Sequence, residues 1–213
     1  MPPPRPAWAH DPTSLADTVV TTLVISMGFN ALQFIITAAW AVMETTTEVT
    51  ETTRGIIGGI EGILALPMLL WTILGTVFAL RWIYFANLNS LAFGAHTLSH
   101  SAAWAVGSWF VPFANLFVPY RALREIWQVS LDPANWRRQR VPPLLGWWWA
   151  MWVTHSILGN VSLRLVFHEW KATEPSTLMF GIDLAIAALG LPVDAIAALI
   201  VTRITAQQRR LVE

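Results

Sequence analysis

The 213-residue sequence contains no cysteine. Disulfides, thiolate metal ligands and cysteine nucleophiles are therefore excluded, and the redox state of the compartment is left open. Charged residues are also scarce, at 12% of the chain against roughly 25% in typical soluble domains. The formal net charge is zero, so nothing suggests attraction to nucleic acid, and we expect no nucleic-acid partner.

Several catalytic signatures are absent as well. The sequence has no G-x-S-x-G nucleophile motif and no glycine-rich phosphate loop. The HEWKA stretch at His168 lacks the second histidine of the H-E-x-x-H zinc motif. Asp183 and Asp194 fall on one predicted helix, whereas an intramembrane aspartyl dyad needs carboxylates that face each other from two helices. These absences favour a protein that is not an enzyme, and we expect no cofactor.

Hydrophobic residues, in contrast, make up 55% of the chain and gather in four long runs. Each run is about as long as the ~20 residues that a helix needs to cross the hydrocarbon core of a bilayer. The sequence therefore predicts an all-α integral membrane protein, a bundle of four transmembrane helices over 19–43, 56–79, 144–166 and 178–201. The predicted domains are a disordered tail over 1–17, one membrane domain over 18–205 and a C-terminal tail over 206–213.

Basic residues are unevenly distributed between the connections. The connection 81–143 has six arginines and the C-terminal end has three, whereas the two short connections hold only Arg54 and Lys171. Arginine and lysine favour cytoplasmic loops. We therefore expect a bacterial cytoplasmic (inner) membrane protein with both termini and 81–143 in the cytoplasm, and with 44–54 and 168–176 outside.

Residues 104–120, between the second and third predicted spans, form a further apolar stretch, WAVGSWFVPFANLFVPY. A fifth span here would place the arginines that follow it outside the cell, against the usual bias. Pro112 and Pro119 would also interrupt a straight helix. We therefore expect a re-entrant or interfacial segment that packs against the bundle and returns to the cytoplasmic face.

The residues that follow, PYRALREIWQVS, have the pattern of an amphipathic helix lying in the cytoplasmic interface. The predicted apolar face has Tyr120, Leu123, Ile126 and Trp127, and the polar face has Arg121, Arg124, Glu125 and Gln128. The basic residues of this helix are expected to meet anionic headgroups.

The stretch AVGSWFVPFANLFVPYRALREIWQVS, followed by LLGWWWAMWVTHSILGN and VTRITAQQ, resembles the bacterial family called domain of unknown function 4328. The resemblance covers roughly residues 80–208. Its W-F-V-P-x-x-N-L-x-x-P-Y-x-A-x-x-E-I-W core is specific, because few unrelated chains combine those prolines, aromatics and charges. The resemblance implies a multi-pass bacterial membrane protein. The family has no assigned activity, so no catalytic residue is implied.

Ionisable residues inside the predicted spans are candidates for function. Glu61, Arg164 and Asp183 fall within about one helical turn of the same level, with Asn160 about one turn below Arg164. Such groups are costly in a bilayer and are normally paired or functional. We expect them to converge as a polar cluster in the outer half of the bundle. The alternatives are an ion-pair cluster that fixes helix register, or side chains that reach the nearby surface.

Asp194 lies eleven residues after Asp183, so both carboxylates project from one face of the fourth span. That face is a candidate proton or cation pathway. Equally, Asp194 would accept a hydrogen bond from a Trp, Asn or Arg on a neighbouring helix. His96 and His100 share a face if they are helical, and with His155 they are weak candidates for haem or metal ligands. Interfacial histidines explain them as well, and we predict no metal site.

Three functions remain open from the sequence. The one we favour is a non-catalytic protein that acts through the lipid bilayer, another membrane protein or a homo-oligomer, using 104–120 and the amphipathic helix. The second is a small transporter or channel component using Glu61, Asp183 and Asp194. The third is a membrane enzyme or a haem or metal carrier using His96, His100 or His155.

Overall fold

The computed structural model describes residues 8–46, 49–169 and 177–213. Within those ranges the chain forms helices and turns, and no strand occurs. The helices are α1 (Thr13–Thr46), α2 (Glu51–Ala92), α3 (Ala102–Gly107), α4 (Val118–Leu131), α5 (Pro143–Glu169) and α6 (Thr177–Val212). Three short 3₁₀ turns cover Ser108–Phe110, Ala114–Leu116 and Trp136–Arg138. The predicted all-helical fold class is confirmed.

Three helices of the described chain, α1, α2 and α6, are long and apolar enough to cross a membrane. Large apolar side chains from Ile56 to Val77 are exposed along α2, and Ile63 is 76% exposed. A water-soluble monomer rarely exposes a contiguous apolar surface of this extent. These helices are therefore suited to lipid.

The predicted third span, 144–166, forms as α5, which has 27 residues and hence a length of about 40 Å. That length exceeds the ~30 Å hydrocarbon core. However, α5 contains His155, Asn160 and Arg164, and it is not among the three described helices that are apolar enough by composition. A fourth span therefore stays a prediction.

The chain divides into two compact units. Unit 1 comprises Met1–Leu23, Gly75–Trp149 and Ile196–Glu213, and unit 2 comprises Val24–Leu74 and Ala150–Ala195. The sequence of unit 1 has ten arginines and five acidic residues, whereas that of unit 2 has three basic and eight acidic residues. The zero net charge of the chain thus conceals a net charge of +5 in unit 1 and −5 in unit 2.

Helix α4 is central to unit 1, where it contacts α3 and the 3₁₀ turns on both sides of it. Nine of its 14 residues are buried, and Ala122, Ile126 and Val129 are 0% exposed. Val129 belongs to an apolar cluster with Phe93 and Trp136. The connections before and after α4 are therefore anchored on it by apolar packing.

Two polar residues of α4 differ from the predicted amphipathic helix. Glu125 and Gln128, expected on the polar outer face, are 9% and 5% exposed. The Glu125 carboxylate accepts the backbone N–H of Ser99 at 3.1 Å, and Gln128 Nε2 donates to the C=O of Gln139 at 2.8 Å. The connections fold over both flanks of α4 and supply these partners, which a helical pattern alone cannot reveal.

Helical structure extends into both of the predicted tails. Helix α1 begins at Thr13, so 13–17 are helical, while residues 1–7 lie outside the described ranges. The side-chain hydroxyl and then the backbone N–H of Thr13 donate to Asp11 Oδ1, at 2.6 and 2.9 Å, and hold the pKa of that carboxyl below its ordinary value. At the other end, α6 continues through the predicted tail to Val212. Hydropathy does not detect these extensions, because packing in unit 1 orders polar residues that hydropathy assigns to solvent.

Candidate functional site

The apolar segment between α3 and α4 is not one helix. After α3 the chain forms the 3₁₀ turn Ser108–Phe110, a tight turn at Phe113 and the 3₁₀ turn Ala114–Leu116. Pro112 lacks the N–H that a continuing helix would use, which favours a break at this point. The segment 104–120 therefore has the interruption that its prolines predict.

Phe113 is at the apex of this break. Its φ of 65° makes it the one non-glycine residue with positive φ in the described ranges. The N–H of Ala114 donates to the C=O of Pro112 at 2.8 Å, which closes a three-residue γ-turn around Phe113. A γ-turn with positive φ is rare and strained, and such strain is of order 1–3 kcal/mol. The chain therefore holds a phenylalanine in an unfavourable backbone conformation at a surface position.

Three aromatic rings of this segment are exposed. Phe110 is 72%, Phe113 81% and Phe117 59% exposed, and we call these three residues the aromatic tip. Full burial of one such side chain is worth about 1.5–3 kcal/mol. Together the three rings are a surface that favours an apolar environment over water.

Trp149, near the start of α5, supports the aromatic tip from inside unit 1. Its indole Nε1 donates to the C=O of Leu116 at 3.1 Å. Its ring packs edge-on against Trp109 with 5.8 Å between centroids, and lies 6.2 Å from the ring of Tyr120. Trp149 itself is 8% exposed. The tip is therefore held by a hydrogen bond and by packed aromatic side chains from α4 and α5.

Two cations follow the aromatic tip on the outer face of α4. Phe117, Arg121 and Arg124 are spaced i, i+4 and i+7, and all three are exposed. The N–H of Arg121 donates to the C=O of Phe117 at 3.2 Å, so the helical spacing already applies at Phe117. At 1.5 Å per residue, Arg121 lies about 6 Å and Arg124 about 10 Å along the axis from Phe117. One helix face thus passes from apolar to basic.

Asp183 of the predicted outer polar cluster has a hydrogen-bond partner that is not one of the other predicted residues. Ser162 Oγ donates to the Asp183 carboxylate at 2.7 Å. Arg164 and Asn160 are exposed, and Asn160 donates within its own helix. Among the side chains that the structure describes, no ion pair joins Arg164 to Asp183. The Glu61 side chain lies outside that description, so convergence of Glu61 with Arg164 and Asp183 stays a prediction.

Asp194 in α6 has a partner on another helix. Asn30 Nδ2, from α1, donates to Asp194 Oδ2 at 2.9 Å. This is the arrangement that the sequence offers as the alternative to a pathway. A hydrogen bond of this kind is compatible with either function, since it orients the carboxylate without neutralising it.

The histidines do not assemble into a ligand set. His96 and His100 lie in the non-helical connection between α2 and α3, so the shared helical face expected of them is absent. His100 Nδ1 is buried and has no hydrogen-bond partner among the described residues. His155 is partly buried in α5. Throughout the described ranges, no group of three or more His, Cys, Asp or Glu residues could hold a metal ion.

The sequence analysis did not single out a buried amide pair in unit 1. Asn89 is 0% exposed, accepts the N–H groups of Ala9 and His10 at 3.1 and 3.0 Å, and donates to the C=O of His10 at 2.8 Å. Gln208, also 0% exposed, donates to the C=O of Ala86 at 3.2 Å. These amides hold the N-terminal segment and α6 against α2. The available signal was an asparagine recurring at i and i+2 in the apolar stretch FANLNS.

Comparison with protein families gives a match over most of the chain. Residues 45–206 match the model of the Domain of unknown function (DUF4328) family, which is 162 of the 213 residues. The chain belongs to the DUF4328 family. The resemblance that the sequence carries over roughly 80–208 is thereby confirmed, and the DUF4328 match extends further toward the N-terminus. The aromatic tip, α4 and Asp194 all lie within it.

Neither curated proteins nor solved structures give a match to the chain.

Proposed function

We propose that this DUF4328 protein is a four-span protein of the bacterial cytoplasmic membrane that inserts its aromatic tip into the cytoplasmic leaflet and binds anionic phospholipid through Arg121 and Arg124. The exposure of the aromatic tip on a strained, internally supported turn carries the proposal. Exposed phenylalanines would be a liability in water, whereas at a membrane surface they enter the acyl region.

The spacing between apolar and basic groups fits a phospholipid. Interfacial elements bury their apolar face about 5–10 Å into the boundary between headgroups and acyl chains. The Cα atoms of Arg121 and Arg124 lie about 6 and 10 Å along the axis of α4 from that of Phe117. Guanidinium is suited to bidentate hydrogen bonds with phosphate, and each basic residue near an anionic leaflet contributes about 1 kcal/mol.

The course of the chain and its charge distribution support four spans with unit 1 in the cytoplasm. Each of the four long helices, α1, α2, α5 and α6, has one end in unit 1 and the other in unit 2. Both termini belong to unit 1, as an even number of spans requires. Unit 1 also has ten of the thirteen basic residues, which the positive-inside bias assigns to the cytoplasm.

The topology is testable because the chain has no native cysteine. Single cysteines at Thr50 and Ala134, both exposed, should react differently with a membrane-impermeant maleimide. Thr50→Cys should label in intact spheroplasts, and Ala134→Cys only after permeabilisation. The unmodified chain is the blank. Labelling of both positions from the same side would refute the four-span topology.

Insertion of the aromatic tip can be measured with a nitroxide label in liposomes. A label on Phe113→Cys should collide more with oxygen than with a water-soluble nickel complex, because oxygen concentrates in the acyl region. A label on Ala134→Cys, exposed in the same unit, should show the opposite ratio. If the label at position 113 were as accessible to the nickel complex as the one at 134, the tip would not be in the membrane.

The contribution of Arg121 and Arg124 to lipid binding is tested by letting different phospholipids compete for the delipidated protein. Arg121→Gln with Arg124→Gln should weaken retention of phosphatidylglycerol about 30-fold, from about 1 kcal/mol per arginine, and leave phosphatidylcholine unaffected. Arg138→Gln with Arg140→Gln removes the same charge from two exposed arginines outside α4 and is the matched control. Equal losses in the two double variants would mean a general charge effect and no site on α4.

A further inference from the structure

Asp194 and Asn30 form a carboxylate–amide pair inside unit 2, on two of the helices suited to crossing a membrane. The Asn30 amide is uncharged, so the hydrogen bond at 2.9 Å orients the Asp194 carboxylate without compensating its charge. Both residues are partly buried. An ionised group in such a place normally has a charged partner, so an ionised Asp194 needs a cation to compensate its charge.

Among the residues that the structure describes, Asp194 has no basic side chain as a partner. Helix α1, which contributes Asn30, contains no lysine, arginine or histidine from Thr13 to Thr46. Along α6 the nearest basic residue is Arg203, nine positions later and about 13 Å away along the axis. The titratable side chains described elsewhere in unit 2 are Glu51, His155, Arg164 and Asp183, and none of these four has a hydrogen bond or ion pair with Asp194.

Gly190 gives the pair a fixed geometry. A Cβ at this position would lie 2.6 Å from both Cγ and Nδ2 of Asn30, so the amide occupies space that any other residue would fill. Gly190 precedes Asp194 by four residues and therefore lies on the same face of α6. The amide is confined beside Gly190 and directs Nδ2 at the carboxylate one turn away. Small residues allow such close approach of membrane helices.

We propose that Asp194 is a site for one exchangeable monovalent cation, H⁺ or Na⁺, with Asn30 as the residue that positions the carboxyl group. A proton neutralises the carboxylate directly, and Na⁺ would be held by the carboxylate oxygens. The site is in unit 2 and uses no residue of the aromatic tip. It is therefore independent of lipid binding, and each proposal can fail without the other.

Dicyclohexylcarbodiimide tests the site in the unmodified full-length chain, because this apolar reagent attacks protonated carboxyl groups in membranes. Protein in liposomes is treated at mildly acid pH, and the adduct is located by peptide mass spectrometry. We expect an adduct at Asp194, absent from Asp194→Asn. Slower labelling when sodium chloride replaces choline chloride would identify Na⁺ as a second occupant, and an unchanged rate would identify H⁺ alone. Adducts confined to exposed acids such as Glu51 and Glu213 would overturn the proposal.

The role of Asn30 is tested by comparing two amide deletions in α1. Asn30→Ala should change the labelling rate at Asp194 several-fold, because the carboxyl group loses its positioning partner. Gln33→Ala removes an amide that bonds to Thr37 within the same helix, and it should leave the rate unchanged. Equal rates in both variants and in the original chain would remove Asn30 from the site.

Discussion

Replacement of Asn89 by leucine should lower the melting temperature of the purified protein by about 6–12 °C. The variant removes the three hydrogen bonds that join Asn89 to Ala9 and His10, and a typical hydrogen bond contributes about 1 kcal/mol net. A total of about 3 kcal/mol converts at roughly 2–4 °C per kcal/mol in a chain of this size. Circular dichroism in detergent measures the change. The N-terminal segment should also become more sensitive to protease.

Asn87 provides the matched control, since it lies two residues earlier in α2 and is also 0% exposed. Both polar atoms of its side chain lack a hydrogen-bond partner among the described residues. Replacing such a group by an apolar one of similar shape is nearly neutral or stabilising. Asn87→Leu should therefore leave the melting temperature unchanged or raise it. If the two variants lost the same stability, the hydrogen bonds of Asn89 would not be the cause.

Gly190→Ala should destabilise the protein by about 1–3 kcal/mol, the usual range for overpacking. A single methyl group there meets the Asn30 amide at 2.6 Å. Gly181 lies on the same helix, and a Cβ added there would meet nothing within 4 Å. Alanine is also a better helix former than glycine. The Gly181 variant should therefore be as stable as the original chain or slightly more stable in thermal unfolding.

A double variant separates the clash from other effects of alanine at position 190. With Asn30→Ala the space beside α6 is open, so adding Gly190→Ala should cost less than it does alone. Contacting residues of this kind typically show coupling of 0.5–3 kcal/mol in such a cycle. Strict additivity of the two single variants would mean that Asn30 does not fill the space beside Gly190.

The positions of the long helices could be predicted from hydropathy, but the points where two of them end could not. The predicted spans end at 79 and 201, whereas the helices that contain them, α2 and α6, continue to Ala92 and Val212. Hydropathy detects the part of a helix that suits lipid. Beyond it these helices are stabilised by partners distant in sequence, such as the bond between Trp82 Nε1 and Thr205 Oγ1.

The candidate sites could be predicted from the sequence to different degrees. The prolines of 104–120 predicted the break, because a missing N–H is a local property. The γ-turn at Phe113 was not predictable, since phenylalanine disfavours positive φ and the segment after the turn is bonded to Trp149, which is distant in sequence. The pairing of Asp194 with Asn30 required knowing which helices are neighbours, which residue depth alone does not give.

The hydrogen bonds of the buried amides also determine how early unit 1 can be completed during synthesis of the chain. Asn89 is bonded to residues 9 and 10, made before it, and lies 3.4 Å from Gln208, made 119 residues later. Arg209 reaches Thr13 across 196 positions, which at about 5–20 residues per second is some 10–40 s of synthesis. Until α6 has been synthesised, Asn89 and Thr13 lack the partners that α6 contributes. Unit 1 is therefore completed only when both its N-terminal segment and α6 have been made.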